Sequence, residues 1–185
     1  GKLGSVGQVQ PGGELKILSE TGEVLGPNEA GEIVGRTEIM SDGYLNREEA
    51  TRAMHWLDED GQLFYRSGDV GYLDEDGWLF LSDRIKDMIL SGGQNIYATD
   101  LEQVLNAMPD VVDAAVVAKP SDAWGETPWA FVLKNAGSQR SEDDIRLDAN
   151  SQLSPIQAIA GVTLVDELPR SDIGKILKRQ LRDTF

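Results

Sequence analysis

The chain has 185 residues, 40% of them hydrophobic, which is material for one good core or two small ones. It contains no cysteine, excluding disulfides and thiolate chemistry, and no apolar run near eighteen residues, excluding a membrane-spanning helix. A formal net charge of −15 argues against binding a nucleic-acid polymer, because a surface that repels phosphates gains little from counterion release.

The first ten residues, GKLGSVGQVQ, lack the apolar core of a secretory signal, so the reducing cytoplasm is the expected compartment. The charge is uneven. Residues 1–82 hold 6 basic and 16 acidic side chains, whereas Arg170–Phe185 holds 5 basic and 2 acidic. A locally positive tail on an acidic protein suits a discrete anionic ligand such as a nucleotide better than a polyanion.

Residues 1–40 read as short strands punctuated by glycine: Ser5–Gln10, a turn at Pro11-Gly12-Gly13, Glu14–Leu18 and Glu32–Glu38. That spacing predicts a small barrel or sandwich. The abrupt start gives the expectation of a C-terminal piece of something longer. Residues 46–54 predict a short helix capped by Asn46, with Glu48 and Glu49 at its positive end. Val70–Leu73 and Trp78–Leu81 predict a hairpin closed by Asp74-Glu75-Asp76-Gly77, with glycine where a positive φ is needed. Asp69 is placed just before the first of these strands, as a carboxylate at the hairpin's tip that meets a ligand or merely caps a turn.

The stretch Asp83–Glu102, DRIKDMILSGGQNIYATDLE, joins this β-rich part to a mixed second part. Arg84 and Lys86, two apart in a segment read as extended, leave on one face and serve an anion, a ribose or only the solvent. Ser91-Gly92-Gly93 is a loop whose backbone can approach a ligand closely, although glycine pairs are usually just turns. Thr99 or Asp100 caps a helix running to about Met108, followed by strands over Val111–Ala118 and Thr127–Leu133 joined through SDAWGE. A helix over Glu142–Leu153 and a strand over Val162–Val165 complete a compact α+β domain. The chain closes with a mobile type of loop around Gly174 and an amphipathic helix from Lys175. No internal repeat or low-complexity segment is expected. Lys175 can deliver one flexible point charge to a phosphate, and its ordinary alternative is a first-turn surface lysine.

Three stretches taken in order, RSGDVGYLDEDGWLFLSDRIKDMILSGGQNIYATDLE, then WGE at 124–126, then LPRSDIGKILKRQLRD at 168–183, closely resemble the adenylate-forming acyl- and aryl-CoA synthetases. GEIVGRTEIMSDGYLNREEAT upstream resembles the preceding motif of the same family, so the resemblance covers nearly the whole chain. It implies a carboxylic acid that attacks ATP to give an acyl adenylate, which CoA then converts to a thioester with release of AMP. It further implies that residues 1–82 are the β-barrel-like last subdomain of a large AMP-binding domain. Residues 83–185 are then a lid domain, with a small sheet flanked by helices, that rotates about Asp83 between the two steps.

Carried over by position, Asp69 resembles the carboxylate that accepts the ribose hydroxyls, and Arg84 its cationic neighbour. Lys86 and Asn95 match positions that contact AMP in some members; Ser91, Gly92 and Gly93 match the CoA loop; Lys175 matches the adenylation lysine. Acetylation of Lys175 is then expected to stop adenylation by removing its charge. Two positions depart from the family: Ala98 stands where proline is usual, and LSPIQAIAG at 153–161 lacks a basic residue often found there. The phosphate loop, the magnesium-holding acid and the acyl pocket lie upstream in the family, so this chain alone is expected to be inactive and the Mg²⁺ site to lie outside it. Two other readings stay open: an adenylation domain that loads a carrier protein, and a non-catalytic nucleotide-binding or interaction module. The identity of the acid and the oligomeric state are not legible in these residues.

Overall fold

A computed structural model describes residues 1–41 and 43–185; Asp42, inside the upstream motif, lies outside the described residues. The chain divides into two compact units, Gly1–Lys86 and Asp87–Phe185.

The first unit is an antiparallel sheet of β1 (Gly7–Gln8), β2 (Gly13–Leu18), β3 (Gly31–Thr37), β4 (His55–Leu57), β5 (Leu63–Leu73) and β6 (Trp78–Arg84), with one helix, α1 (Glu48–Ala53). The strand order is β1-β6-β5-β3-β2, and β4 pairs with the first residues of β5. Leu18, Val34 and Phe64 are almost fully buried together, with Trp56 packed against them. The sheet is the small β-subdomain expected from sequence, with shifted details. The predicted first strand shrinks to two residues. Asn46 adopts φ +56 and does not cap α1; Arg47 is the N-cap residue and supplies no side-chain hydrogen bond.

The predicted hairpin is longer than its apolar run suggests, because β5 extends back through Arg66 and Gly68 to Leu63. Asp69 therefore lies inside β5, beside Arg84 in register, at the opposite end of the β5–β6 pair from the Asp74–Gly77 turn. It is not at the hairpin's tip. A register shift between Val70 and Gly71 marks the bend just past it.

An internal repeat is present after all. LDEDGQLF at 57–64 and LDEDGWLF at 73–80 fold into the same turn. In each, the first aspartate's N–H donates four residues ahead, Asp58 to Gln62 and Asp74 to Trp78, both at 3.0 Å. The glycine N–H returns to the aspartate carbonyl at 3.0 Å in both. The aspartate Oδ1 then accepts the amide of Gln62 at 2.8 Å and of Trp78 at 2.9 Å. Gly61 and Gly77 have φ +74 and +75, the left-handed residue that a three-residue hairpin loop requires. A lysine neutralises each aspartate's other oxygen, Lys16 on Asp58 at 2.7 Å and Lys2 on Asp74 at 2.5 Å.

The second unit is built on β9 (Val111–Ser121) and β10 (Gly125–Lys134), antiparallel along their length. β11 (Gly161–Leu164) runs parallel to β10, and the hairpin β7 (Ile89–Ser91) and β8 (Gln94–Ile96) joins through Gly125 opposite Ser91. The run Ala114-Ala115-Val116-Val117 is apolar throughout because both faces of this sheet are covered. Ala114 and Val116 pack with α2 (Ala98–Asn106) and α3 (Glu142–Gln152), while Ala115 and Val117 pack with Leu168 and with Leu181 of α4 (Lys178–Arg182). α3 starts at Ser141 with a reciprocal capping box to Asp144.

Two helix starts differ from expectation. α2 begins at Ala98, fully buried, with Tyr97 rather than Thr99 or Asp100 at the N-cap. Ala98 thus occupies the first helical position, where proline is also tolerated, which accounts for the exchange. The last helix begins at Lys178 and not Lys175, because residues 170–176 close a hairpin of their own, bridged between Arg170 and Ile176.

Candidate functional site

In the first unit, Arg84 Nε meets Asp69 Oδ1 at 3.0 Å across adjacent strands. Both side chains remain partly exposed, 47% and 31%, so a ligand can share the pair. Gly68, at φ +73, precedes Asp69, and Ser67 Oγ accepts the Asp69 amide at 3.0 Å while donating to the Ile33 carbonyl at 2.8 Å. Asp83 follows in β6, where its carboxylate accepts the Arg84 amide at 2.7 Å, a few residues before the break between the units. Lys86 does not continue the strand. A 3₁₀ turn at Ile85–Asp87 takes it off the extended path, so it does not share the face of Arg84 through strand alternation.

In the second unit, Ser91, Gly92, Gly93 and Asn95 come together on the β7–β8 hairpin. Ser91 pairs with Gln94, leaving the two glycines as a two-residue turn with φ +57 and +79. WGE supports this turn: the Gly92 amide donates to the Trp124 carbonyl at 2.9 Å, and Glu126 Oε2 accepts the Leu90 amide at 2.9 Å. A side chain at Gly92 would meet the Trp124 ring at 2.9 Å, so glycine is needed both for its φ and for the indole against it. Trp124 is itself 61% exposed beside the turn.

Lys175 sits elsewhere. Its loop is a third copy of the turn seen twice in the first unit. Ser171 N–H donates to the Lys175 carbonyl at 2.8 Å, Gly174 N–H to the Ser171 carbonyl at 2.8 Å, and Lys175 N–H to Ser171 Oγ at 3.2 Å. Gly174 has φ +82. The loop is a hydrogen-bonded hairpin. Its side chain is exposed, and among the described residues no carboxylate forms an ion pair with it; Lys178, by contrast, is held by Glu102 at 2.7 Å. Ile176, next to it, packs with Leu168 and Leu181 on one face of the sheet, whereas Ile89 and Ile96 of the glycine hairpin join the cluster on the other. The two hairpins therefore pack their apolar side chains against opposite faces of one sheet.

Sequence reasoning overlooked Ser171, Arg170, Asp113 and the supporting role of Trp124 and Glu126. The Ser171 turn was detectable, since Ser171-x-x-Gly174 repeats the spacing of Asp58-x-x-Gly61 and Asp74-x-x-Gly77. The contact of Arg170 with Asp113 spans 57 residues and leaves no local signal.

Two units of this kind, one with a carboxylate–guanidinium pair at a strand bend and one with two hairpins on a doubly covered sheet, have clear relatives. Residues 100–175 match the AMP-binding enzyme C-terminal domain. The chain is 41% identical over 182 residues to 2-succinylbenzoate–CoA ligase of Geobacillus kaustophilus and 40% identical over 182 residues to 4-coumarate–CoA ligase 3 of Oryza sativa subsp. japonica. Each alignment covers 98% of this chain but only 36% and 32% of those enzymes. Among solved structures, o-succinylbenzoate CoA synthetase from Bacillus subtilis, in complex with an acyl-adenylate intermediate, is 35% identical with a TM-score of 0.84, over 98% of this chain and 36% of that one. Residues 100–175 are thus an AMP-binding enzyme C-terminal domain, and the relatives that align with nearly the whole chain are acid–CoA ligases. The chain spans about a third of their length. No helix among the described residues is long and apolar enough to cross a membrane.

Proposed function

We propose that this chain is the part of an acid–CoA ligase that completes the nucleotide site and alternates between its two half-reactions. Asp69 accepts the ribose hydroxyls of ATP and AMP, with Arg84 fixing the carboxylate; Lys86 and Asn95 add contacts to the nucleotide. Lys175 offsets the negative charge that builds on the α-phosphate when a carboxylate attacks it, a charge interaction that strengthens in the transition state. The Gly92-Gly93 hairpin, backed by Trp124, lies along pantetheine when CoA thiol displaces AMP. Asp83 is the hinge. The reading puts the reaction in the cytoplasm, where ATP and CoA are supplied. Among the described residues no group of three acidic or histidine side chains is gathered to hold a metal, and no step is assigned through Mg²⁺.

The observation that carries this reading is that the two hairpins pack their apolar side chains against opposite faces of one sheet. A domain that must bring a lysine to the phosphorus in one step, and clear the same carbonyl for a thiol in the next, needs two working surfaces. One rigid body then serves both by turning.

The test is pyrophosphate release by the full-length enzyme with aliphatic and aryl carboxylates, with and without CoA, for wild type and Lys175→Ala. Acid-dependent release that the substitution abolishes, with a CoA thioester as product, is the expected result. Release undiminished in Lys175→Ala removes that residue from adenylation. Acyl transfer to a carrier protein in preference to CoA replaces the acceptor.

A further inference from the structure

Lys175 is useful only if its hairpin is aimed, and the contacts of Arg170 address that aim directly. Arg170 directs one guanidinium nitrogen to the Gly174 carbonyl at 2.7 Å, and so grips the peptide group that precedes Lys175. Its other terminal nitrogen binds the Asp113 carboxylate. Asp113 belongs to β9 and is fixed in turn by accepting the Ala114 amide at 2.9 Å. The guanidinium thus ties the lysine's own peptide plane to β9, a strand of the domain's sheet. The turn's internal hydrogen bonds set the loop's shape, but none of them runs to the sheet.

We propose that Arg170, braced by Asp113, is a positioning residue that orients Lys175 for adenylation. The inference rests on the adenylation role of Lys175 given above. Arginine suits this post because its planar fork reaches two acceptors in fixed directions at once, whereas a lysine ammonium is a single centre on a flexible stem. Freed from the fork, the 171–174 turn keeps its fold but can swing about the flanking Pro169 and Leu177, which remain joined by a hydrogen bond of 2.8 Å. Displacing a charged group by about 1 Å from the reacting atoms is enough to slow a step by about 100-fold.

The experiment separates the half-reactions in the full-length enzyme. Arg170→Lys and Asp113→Asn are expected to lower kcat of adenylation by roughly 10- to 100-fold, with KM for ATP nearly unchanged. Thioester formation from supplied acyl adenylate and CoA is expected to stay near the wild-type rate. The double variant should be little worse than the worse single one, because both remove the same tie. Lys178→Met serves as the comparator, since it loosens the same C-terminal segment at its Glu102 contact and leaves the turn alone. Adenylation at the wild-type rate in Arg170→Lys overturns the proposal. So does an equal fall in both half-reactions, or the same selective loss in Lys178→Met, either of which reduces Arg170 to a general stabiliser. A Lys175→Ala enzyme that adenylates normally overturns instead the assignment on which the proposal stands.

Discussion

The turn at Asp74–Trp78 and the turn at Ser171–Lys175 are one device used for two ends. Both close with the same three hydrogen bonds and both place a left-handed glycine fourth, Gly77 at φ +75 and Gly174 at φ +82. They differ at the first residue. Asp74 supplies a charged acceptor and recruits Lys2 from outside the loop, so its charge is spent on holding the fold. Ser171 makes the corresponding bond with a neutral hydroxyl. No carboxylate then stands in the loop's first position beside Lys175, whose exposed ammonium forms no ion pair among the described residues. On the role proposed for Lys175, a scaffold turn becomes a presenting turn by exchanging one carboxylate for one hydroxyl.

Removing the presented charge has the largest expected effect. Lys175→Ala should reduce adenylation by about 100- to 1,000-fold, the range for losing one preorganised electrostatic contact in a transition state. Thioester formation from supplied adenylate should persist, and separate assays of the half-reactions check this. The sharper probe is Ser171→Asp, which converts the presenting turn into the scaffold kind. It should leave the melting temperature unchanged or higher, yet place a carboxylate near Lys175. An exposed ion pair of about 1 kcal/mol corresponds to adenylation slower by roughly fivefold. Unaltered adenylation in a folded Ser171→Asp enzyme breaks the comparison. Gly77→Ala and Gly174→Ala test the shared geometry. Neither position has another group within 4 Å of a new side chain, so each should cost only the left-handed strain of about 1–2 kcal/mol. Equal losses in urea unfolding, with adenylation impaired only by Gly174→Ala, are the expected result.

Much of this architecture was readable from local pattern. The apolar run over Val111–Ala118 announced a strand, and the Asp74–Gly77 turn followed from its glycine. The order of the cationic, glycine and lysine segments pointed to the family before any geometry was known. What escaped were features that depend on partners far along the chain. Asp69 was set at a tip because the predicted strand begins only at Val70, yet β3 pairs with β5 on both sides of Gly68. Lys175 was given a helix because GKILKRQLR has helical periodicity, and the competing choice was a hairpin secured by Arg170 through a contact to β9. The repeat of LDEDGxLF was in plain view; its significance appeared only with the matching hydrogen bonds.

The smallest effect is a difference in response to acid. A hydrogen bond from Lys16 first, then the amide of Gln62, holds the Asp58 carboxyl below the ordinary aspartate range, and a hydrogen bond from Lys2 first does the same for Asp74. A carboxyl lowered in the folded state contributes stability that is fully present above its unfolded value. That contribution is lost as pH falls through the folded value, hence below about pH 4. The partners behave oppositely. Lys16 and Lys2 are raised, chiefly by their bonds to Asp58 and Asp74, so their share is present through neutral pH and lost only as pH climbs past the ordinary lysine range. The Ser171 turn has no titrating acceptor. In the second unit the corresponding acid-sensitive carboxyl is Asp144, lowered by its bonds to Ser141 in the cap of α3, away from the lysine turn. Amide resonances followed by NMR from neutral to acid pH separate the cases. The Gln62 and Trp78 amides, each bonded to a carboxylate, should shift below about pH 4, while the Lys175 amide, bonded to a hydroxyl, should hold steady over the same range. A Lys175 amide that titrates with them would mean that a carboxylate and not the Ser171 hydroxyl holds it, and the distinction between the two turns would fail.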